Sequence, residues 1–298
     1  MTGPVGGYAF EFRGVTKRFK HTVALDRVDL AVPAGAVVGL IGRNGSGKST
    51  LLRHVVGLYL PSEGACVTLG QAAAALDAGT LARIGVVQQE ADFIPWMRVG
   101  QQLRYLSSFY DRWDRVLEDR LVRDLELDRT ARIGTLPPGN LQKLALVLAF
   151  CHHPDLVLLD EPVSALDPLA REAMLRFLLE VARTDGPTLV VSSHVLRDVE
   201  RVVDRVICLE QGRVTEHAEL DELLERWAEW KVTAHHGTLP QHLPEPWVVQ
   251  QEGAGREARL LVRDAAGELQ AFRSAYRAEV EVRPVTLERL FPRLIGRP

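Results

Sequence analysis

Gly42-Arg43-Asn44-Gly45-Ser46-Gly47-Lys48-Ser49-Thr50 matches the pattern G-x-x-x-x-G-K-[ST], a spacing that suits the binding of phosphate. Glycines at Gly42, Gly45 and Gly47 let the backbone turn tightly and aim its N–H groups inward. Lys48 would reach the β- and γ-phosphates of a nucleotide, and Ser49 would bind Mg²⁺. Asp160-Glu161 is the second chemical pair. Asp160 suits a role at Mg²⁺, and Glu161 suits that of a base that orients and deprotonates an attacking water. His194 and Gln89 are further polar groups directly after apolar runs. His194 is placed to contact a γ-phosphate, and Gln89 to offer an amide to Mg²⁺ or water. Taken singly, these could be a glycine-rich turn, solvated acids and structural polar groups. Their common placement at strand ends favours one site.

The elements that must position them are legible around each residue. Ala36–Ile41 reads as a short buried strand leading into the glycine-rich loop, and Leu51–Val56 as the helix leaving it. A helix start adds free N–H donors and the positive end of the dipole. Leu156–Leu159 is apolar without alternation, as a central parallel strand covered on both faces should be. Thr188–Ser193 and Ile84–Gln89 read as two more strands. Parallel strands present catalytic groups at their carboxyl ends, which brings Lys48, Gln89, Asp160, Glu161 and His194 to one edge. Alternation in Tyr8, Phe10, Phe12 and in Val28, Leu30, Val32 predicts antiparallel strands over residues 8–32. Phe19 lies between them, suited either to stack on a nucleotide base or to serve as an edge aromatic. Residues from about 99 to 149 are helical in pattern, interrupted at Pro137-Pro138-Gly139 and resuming at Asn140. Glu210-Gln211-Gly212 marks a hairpin.

The expected fold is α/β: a P-loop ATPase core with a parallel sheet, an antiparallel β edge and a helical subdomain over about 93–150. That domain is expected to span residues 1–227. Composition changes near Trp227, and residues 228–298 read as a small α+β appendage, with strands at Arg259–Arg263 and Val280–Arg283 around a helix at Glu268–Ala278. Hydrophobic residues make up 46% of the 298 and charged residues 25%, which suits a packed globular core. The formal net charge of −3 argues against a general nucleic-acid-binding surface. Cys66, Cys151 and Cys208 lack metal spacing and read as reduced, buried thiols of a cytoplasmic protein. There is no signal-peptide pattern, and no apolar run approaches the roughly 20 residues that span a bilayer.

In the order of these motifs the chain resembles the nucleotide-binding subunit of ATP-binding cassette (ABC) transporters, over roughly residues 8–225. The resemblance makes Phe19 the A-loop aromatic, Gly42–Thr50 the Walker A motif and Gln89 the Q-loop glutamine. Leu156–Glu161 becomes Walker B with its catalytic glutamate, Ser164-Ala165-Leu166-Asp167 the D-loop, and His194 the switch histidine. ATP and Mg²⁺ are the implied ligands. Family cassettes dimerise head to tail, the Leu-Ser-Gly-Gly-Gln signature of one closing on ATP held by the other. Here that segment is Leu136-Pro137-Pro138-Gly139-Asn140. Pro137 supplies no hydroxyl and neither proline an N–H, whereas Gly139 keeps its N–H and Asn140 an amide. A homodimer would then have two impaired sites and slow turnover; a heterodimer would have one good site and one weak one.

The resemblance also implies a membrane permease and a second cassette, homodimeric or heterodimeric, as partners. No nucleic-acid partner is expected. The location implied is cytoplasmic, peripheral at the inner face of the membrane through the permease. Phe93-Ile94-Pro95-Trp96-Met97 corresponds to the segment that meets a coupling helix. Phe109–Asp114 and Val282–Glu288 resemble bacterial exporters. The rival is a soluble ABC ATPase of translation or DNA repair, but those carry two cassettes or a long coiled coil. A P-loop kinase would leave the Asp-Glu, Ser-Ala-Leu-Asp and His series unexplained.

Overall fold

The alternating aromatic and aliphatic residues near the amino end fold as an antiparallel pair, β1 (Tyr8–Phe19) and β2 (Thr22–Pro33). Their inward side chains Phe10, Phe12, Leu30 and Val32 are buried. The computed structural model describes residues 7–90, 92–184 and 186–296. The outer ends of the two expected domains, residues 1–6 and 297–298, lie outside the described residues. Next come β3 (Val37–Ile41), α1 (Lys48–Val55), β4 (Glu63–Thr68), β5 (Gln71–Ala72), α2 (Ala78–Leu81) and β6 (Ile84–Val87). The antiparallel part is a four-stranded sheet of its own, ordered β2-β1-β4-β5, rather than only an edge on the parallel sheet.

The helical stretch comprises α3 (Val99–Ser107), α4 (Arg115–Asp124) and α5 (Pro138–Phe150). The last begins two residues earlier than its prolines suggest, with Pro137 as N-cap and Pro138 in the first turn. Proline is tolerated there because the first helical N–H groups have no partner inside the helix. Then follow β7 (Leu156–Asp160), α6 (Pro168–Ala182), β8 (Thr188–Ser193), α7 (Leu196–Val202), β9 (Arg205–Glu210) and β10 (Arg213–Glu219).

The central sheet is ordered β10-β9-β3-β8-β7-β6. Pairing is parallel for β6 with β7, β7 with β8, β8 with β3 and β3 with β9. Every residue of β3, β7 and β8 is buried, as strands covered on both faces should be. Leu40, Leu158, Val190 and Ile207 of this sheet, with Leu51 and Val55 of α1, share one core with Phe10, Phe12 and Val32. The loops at the carboxyl ends of β3, β6, β7 and β8 are therefore held by rigid strands.

The chain divides after His217, earlier than the expected boundary at 227/228. The second unit begins at Ala218 and opens with α8 (Leu220–Glu225). The Arg226 carbonyl after α8 accepts from Asp264 N at 2.7 Å, so this helix belongs with the following sheet. That sheet is ordered β12 (Val248–Glu252), β13 (Glu257–Arg263), β11 (Trp227–Ala234) and β14 (Ala278–Pro284), all pairs antiparallel. Helices α9 (Leu269–Tyr276) and α10 (Leu287–Leu294) complete it. Its core packs Trp230 against Trp247, tilted, and against Phe272, edge to face, with ring centroids 4.9 and 5.5 Å apart.

Candidate functional site

The loop between β3 and α1 is shaped by what cannot fit there. Gly47, the N-cap of α1, has φ +109°, and a Cβ on it would sit 2.5 Å from Ala24 O. Only glycine meets both conditions. The loop closes through Ser46 N donating to Arg43 O at 3.1 Å and Gly212 N donating to Ser46 O at 2.9 Å. Lys48 opens α1 and is buried, its Nζ donating to Gly42 O at 2.8 Å and Arg43 O at 3.2 Å. An ammonium has three donors, so one remains for a ligand. Burial pulls the Lys48 ammonium below its ordinary range, and the carboxylates of Glu161, Asp160 and Glu210 oppose that shift. Ser46 Oγ is buried without a hydrogen-bond partner.

Asp160 ends β7 and pairs in register with Ser192 of β8. Ser192 Oγ donates to Asp160 Oδ1 at 2.6 Å and accepts from Glu161 N at 3.1 Å, so one serine orients both acids. Glu161 has φ +51°, the left-handed region that a non-glycine residue enters only when its surroundings hold it. The holding groups are visible. Its carbonyl accepts from Gln142 Nε2 at 2.7 Å and from Ser164 Oγ at 2.9 Å. Its carboxylate Oε2 lies 2.8 Å from His194 Nδ1. The Glu161 side chain is buried and that of His194 is exposed, so the pair bridges interior and solvent.

A cleft of about 460 Å³ collects these groups. Asn44, Gly45, Gly47, Lys48, Ser49, Thr50, Gln89, Asp160, Glu161 and His194 all line it. Gln89 reaches it from two residues beyond the end of β6, not from the strand itself. Gly42 and Ser46 are buried beneath the loop rather than in the lining. Phe19 also lies outside the lining, yet it pairs in register with Thr22, which is inside it. The hydroxyl of Ser49, the Asp160 carboxylate and the Gln89 amide form an all-oxygen donor set, the chemistry Mg²⁺ prefers.

Leu136, Gly139, Asn140 and Asp167 stand apart from this cleft. The start of α5 and the segment after Glu161 meet there instead. A Cβ on Gly139 would lie 2.6 Å from Ala165 O, so α5 rests directly on the segment after Glu161. Lys143 Nζ lies 3.5 Å from Asp167 Oδ2, and Asp167 caps α6 by accepting from Leu169 N and Ala170 N. Hydrogen bonds of the Asp167 carboxylate to Ala170 N, aided by the Lys143 charge, hold its pKa below the ordinary range.

Sequence reasoning missed Thr22, Val23 and Ala24 of the lining, and it missed Gln142 and Ser192. Ser192 was within reach, since it lies on the strand ending beside His194. Gln142 and Lys143, buried in an otherwise apolar helix, were the available signal for α5.

Residues 25–164 match the ABC transporter family. The Nod factor export ATP-binding protein I of a Rhizobium species is 31% identical over 97% of both chains. The aliphatic sulfonates import ATP-binding protein SsuB of Burkholderia ambifaria is 37% identical over 71% of this chain, which spans 64% of that protein's length. Among solved structures, the ATP-binding cassette MJ0796, a dimer in a post-hydrolysis state with ADP and Pi, is similar with a TM-score of 0.64 at 27% identity. The match covers 71% of this chain and 98% of that one. Among the described residues no helix is long and apolar enough to cross a membrane.

Proposed function

Because the chain belongs to the ATP-binding subunits of ABC transporters, we propose that it binds and hydrolyses ATP to power transport through a separate membrane permease. The observation that carries this reading is the convergence of Lys48, Gln89, Asp160, Glu161 and His194 on one cleft. The loop N–H groups and the remaining Lys48 donor bind the β- and γ-phosphates. Ser49, Asp160 and Gln89 would hold Mg²⁺, which when bound neutralises charge developing on the phosphates. Glu161 aligns and deprotonates the attacking water. His194, against one of its carboxylate oxygens, fixes that carboxylate and leaves the other to accept the proton.

Leu136, Gly139, Asn140 and Asp167 serve the other half of a composite site, on ATP held by a second cassette. Their separation from this chain's own cleft supports that reading. The permease is met through the segment around Phe93–Met97, where Trp96 is 76% exposed, and the chain sits peripherally on the cytoplasmic face. Export is the favoured direction. The alignment with the Nod factor export protein runs through the second unit, whereas that with SsuB covers 71% of the chain.

The test is ATP binding and hydrolysis by the purified chain with Mg²⁺, beside Lys48→Ala, together with identification of the membrane protein that co-purifies. Binding lost in the variant and a multi-span partner are expected. A wild-type chain that binds no ATP overturns the proposal.

A further inference from the structure

Phe19 sits at the very end of β1, a place where a lone aromatic would have rotamer freedom. It is 39% exposed but not loose. Its ring meets Tyr59 edge to face, with centroids 5.2 Å apart. Tyr59 lies in the turn after α1 and is fixed from the helix side. Arg53 Nη1 donates to its hydroxyl at 3.1 Å, and the buried His54 ring stands 6.0 Å from it. His54 is itself anchored, its Nδ1 lying 2.7 Å from Thr50 O in the first turn of α1. Lys17 Nζ donates to Leu60 O at 2.8 Å and lies 4.9 Å from the centre of the Phe19 ring and 5.5 Å from that of Tyr59.

From this chain of contacts we infer that Tyr59 is a positioning residue for the nucleotide base. It ties the ring of Phe19 to the same helix that carries Lys48, Ser49 and Thr50. The inference rests on the reading of the cleft as an ATP site with Phe19 beside the base. Three features give it content. Phe19 pairs with Thr22, which lines the cleft, so the root of the ring is beside the bound molecule. Lys17 covers one face of the ring, which leaves the opposite face for a planar base. The link through Tyr59 to Arg53 and His54 sets the base platform at a fixed distance from the phosphate loop. Stacking on a ring already held in place avoids the ordering cost that a free side chain would add on binding.

The experiment measures calorimetric binding of ATP and of inorganic tripolyphosphate to the full chain, its Tyr59→Ala and Tyr59→Phe variants, and Lys48→Ala as control. Tyr59→Ala is expected to weaken ATP roughly three- to tenfold, the scale of one aromatic pair, and to leave tripolyphosphate within about twofold. Tyr59→Phe, which keeps the ring, should recover most of the ATP affinity. Lys48→Ala should weaken both ligands together. An equal loss of both ligands in Tyr59→Ala would mean that Tyr59 merely supports the loop, and an unchanged ATP affinity would mean that it does nothing; either overturns the inference. A wild-type chain that binds neither ligand overturns the ATP site itself.

Discussion

Two helices in this chain begin at segments that face phosphate in the proposed cycle, and they begin in opposite ways. The first, α1, starts after Gly47, whose left-handed backbone turns the loop N–H groups inward and leaves Lys48 a spare donor. The second, α5, starts at Pro137-Pro138. Two positions there carry no N–H, and Asn140 N and Leu141 N both turn back to Pro137 O, at 2.9 and 3.2 Å. Helix dipoles point the same way in both cases, so the difference lies in the donors. On the proposed reading, the chain carries a complete phosphate cradle and a depleted lid for a partner's ATP. Such a chain would hold its own ATP well and close poorly on a partner's.

The sharpest way to break the cradle half is Glu161→Gln. It keeps the shape of the side chain and its contact with His194 and removes the base. Turnover should fall by about 10²–10⁴, the usual worth of a positioned general base, with ATP affinity retained. Single-turnover hydrolysis and calorimetric ATP binding check this. Unchanged hydrolysis would mean that Glu161 is not the base.

Repairing the lid is the next largest effect. Pro137→Ser/Pro138→Gly restores a hydroxyl and two N–H groups at the start of α5. Each charge-assisted hydrogen bond regained is worth about 1.5–3 kcal/mol, so turnover by the chain alone should rise roughly tenfold or more. The substitutions keep the α5 contact with Ala165, because Gly139 is untouched. Fast wild-type turnover that these changes leave alone would erase the distinction between the two helices.

What could be read in advance follows the range of the interactions. Strands β3 and β7 carry apolar runs and β8 holds Leu189–Val191, so Asp160, Glu161 and His194 could be placed at strand ends from the residues alone. Strand β11 escaped because Trp227 and Trp230, both buried, are three apart and break the alternation of two that marks a strand. Helix α10 was hidden by Pro292 in its interior. The structural division comes ten residues before the expected 227/228, since the composition shift follows the acidic helix α8. Within the site, Phe19 could be named but not its tether to Tyr59, and Gln142 was invisible. Its partners lie 19 and 23 residues away, a pairing created only when α5 docks on the segment after β7.

Gln142 is also where the two halves touch. Its Nε2 donates to Glu161 O, and its Oε1 accepts from Ala165 N at 3.3 Å, so the start of α5 and the catalytic turn share one buried amide. Glu161 is held at φ +51° by these contacts together with Ser164 Oγ. Gln142→Leu keeps the volume and removes both bonds. Ser164 still serves the Glu161 carbonyl, so the turn should loosen rather than collapse. The expected result is a fall in kcat of roughly three- to tenfold, from about 1 kcal/mol of lost positioning, with the KM for ATP unchanged. A merely structural glutamine would lower the melting temperature and leave kcat per folded molecule alone. If kcat does fall, introducing the change in Pro137→Ser/Pro138→Gly shows whether lid and base are coupled. Effects that multiply would mean lid and base act independently, whereas a larger combined loss would mean that Gln142 transmits closure of the lid to Glu161.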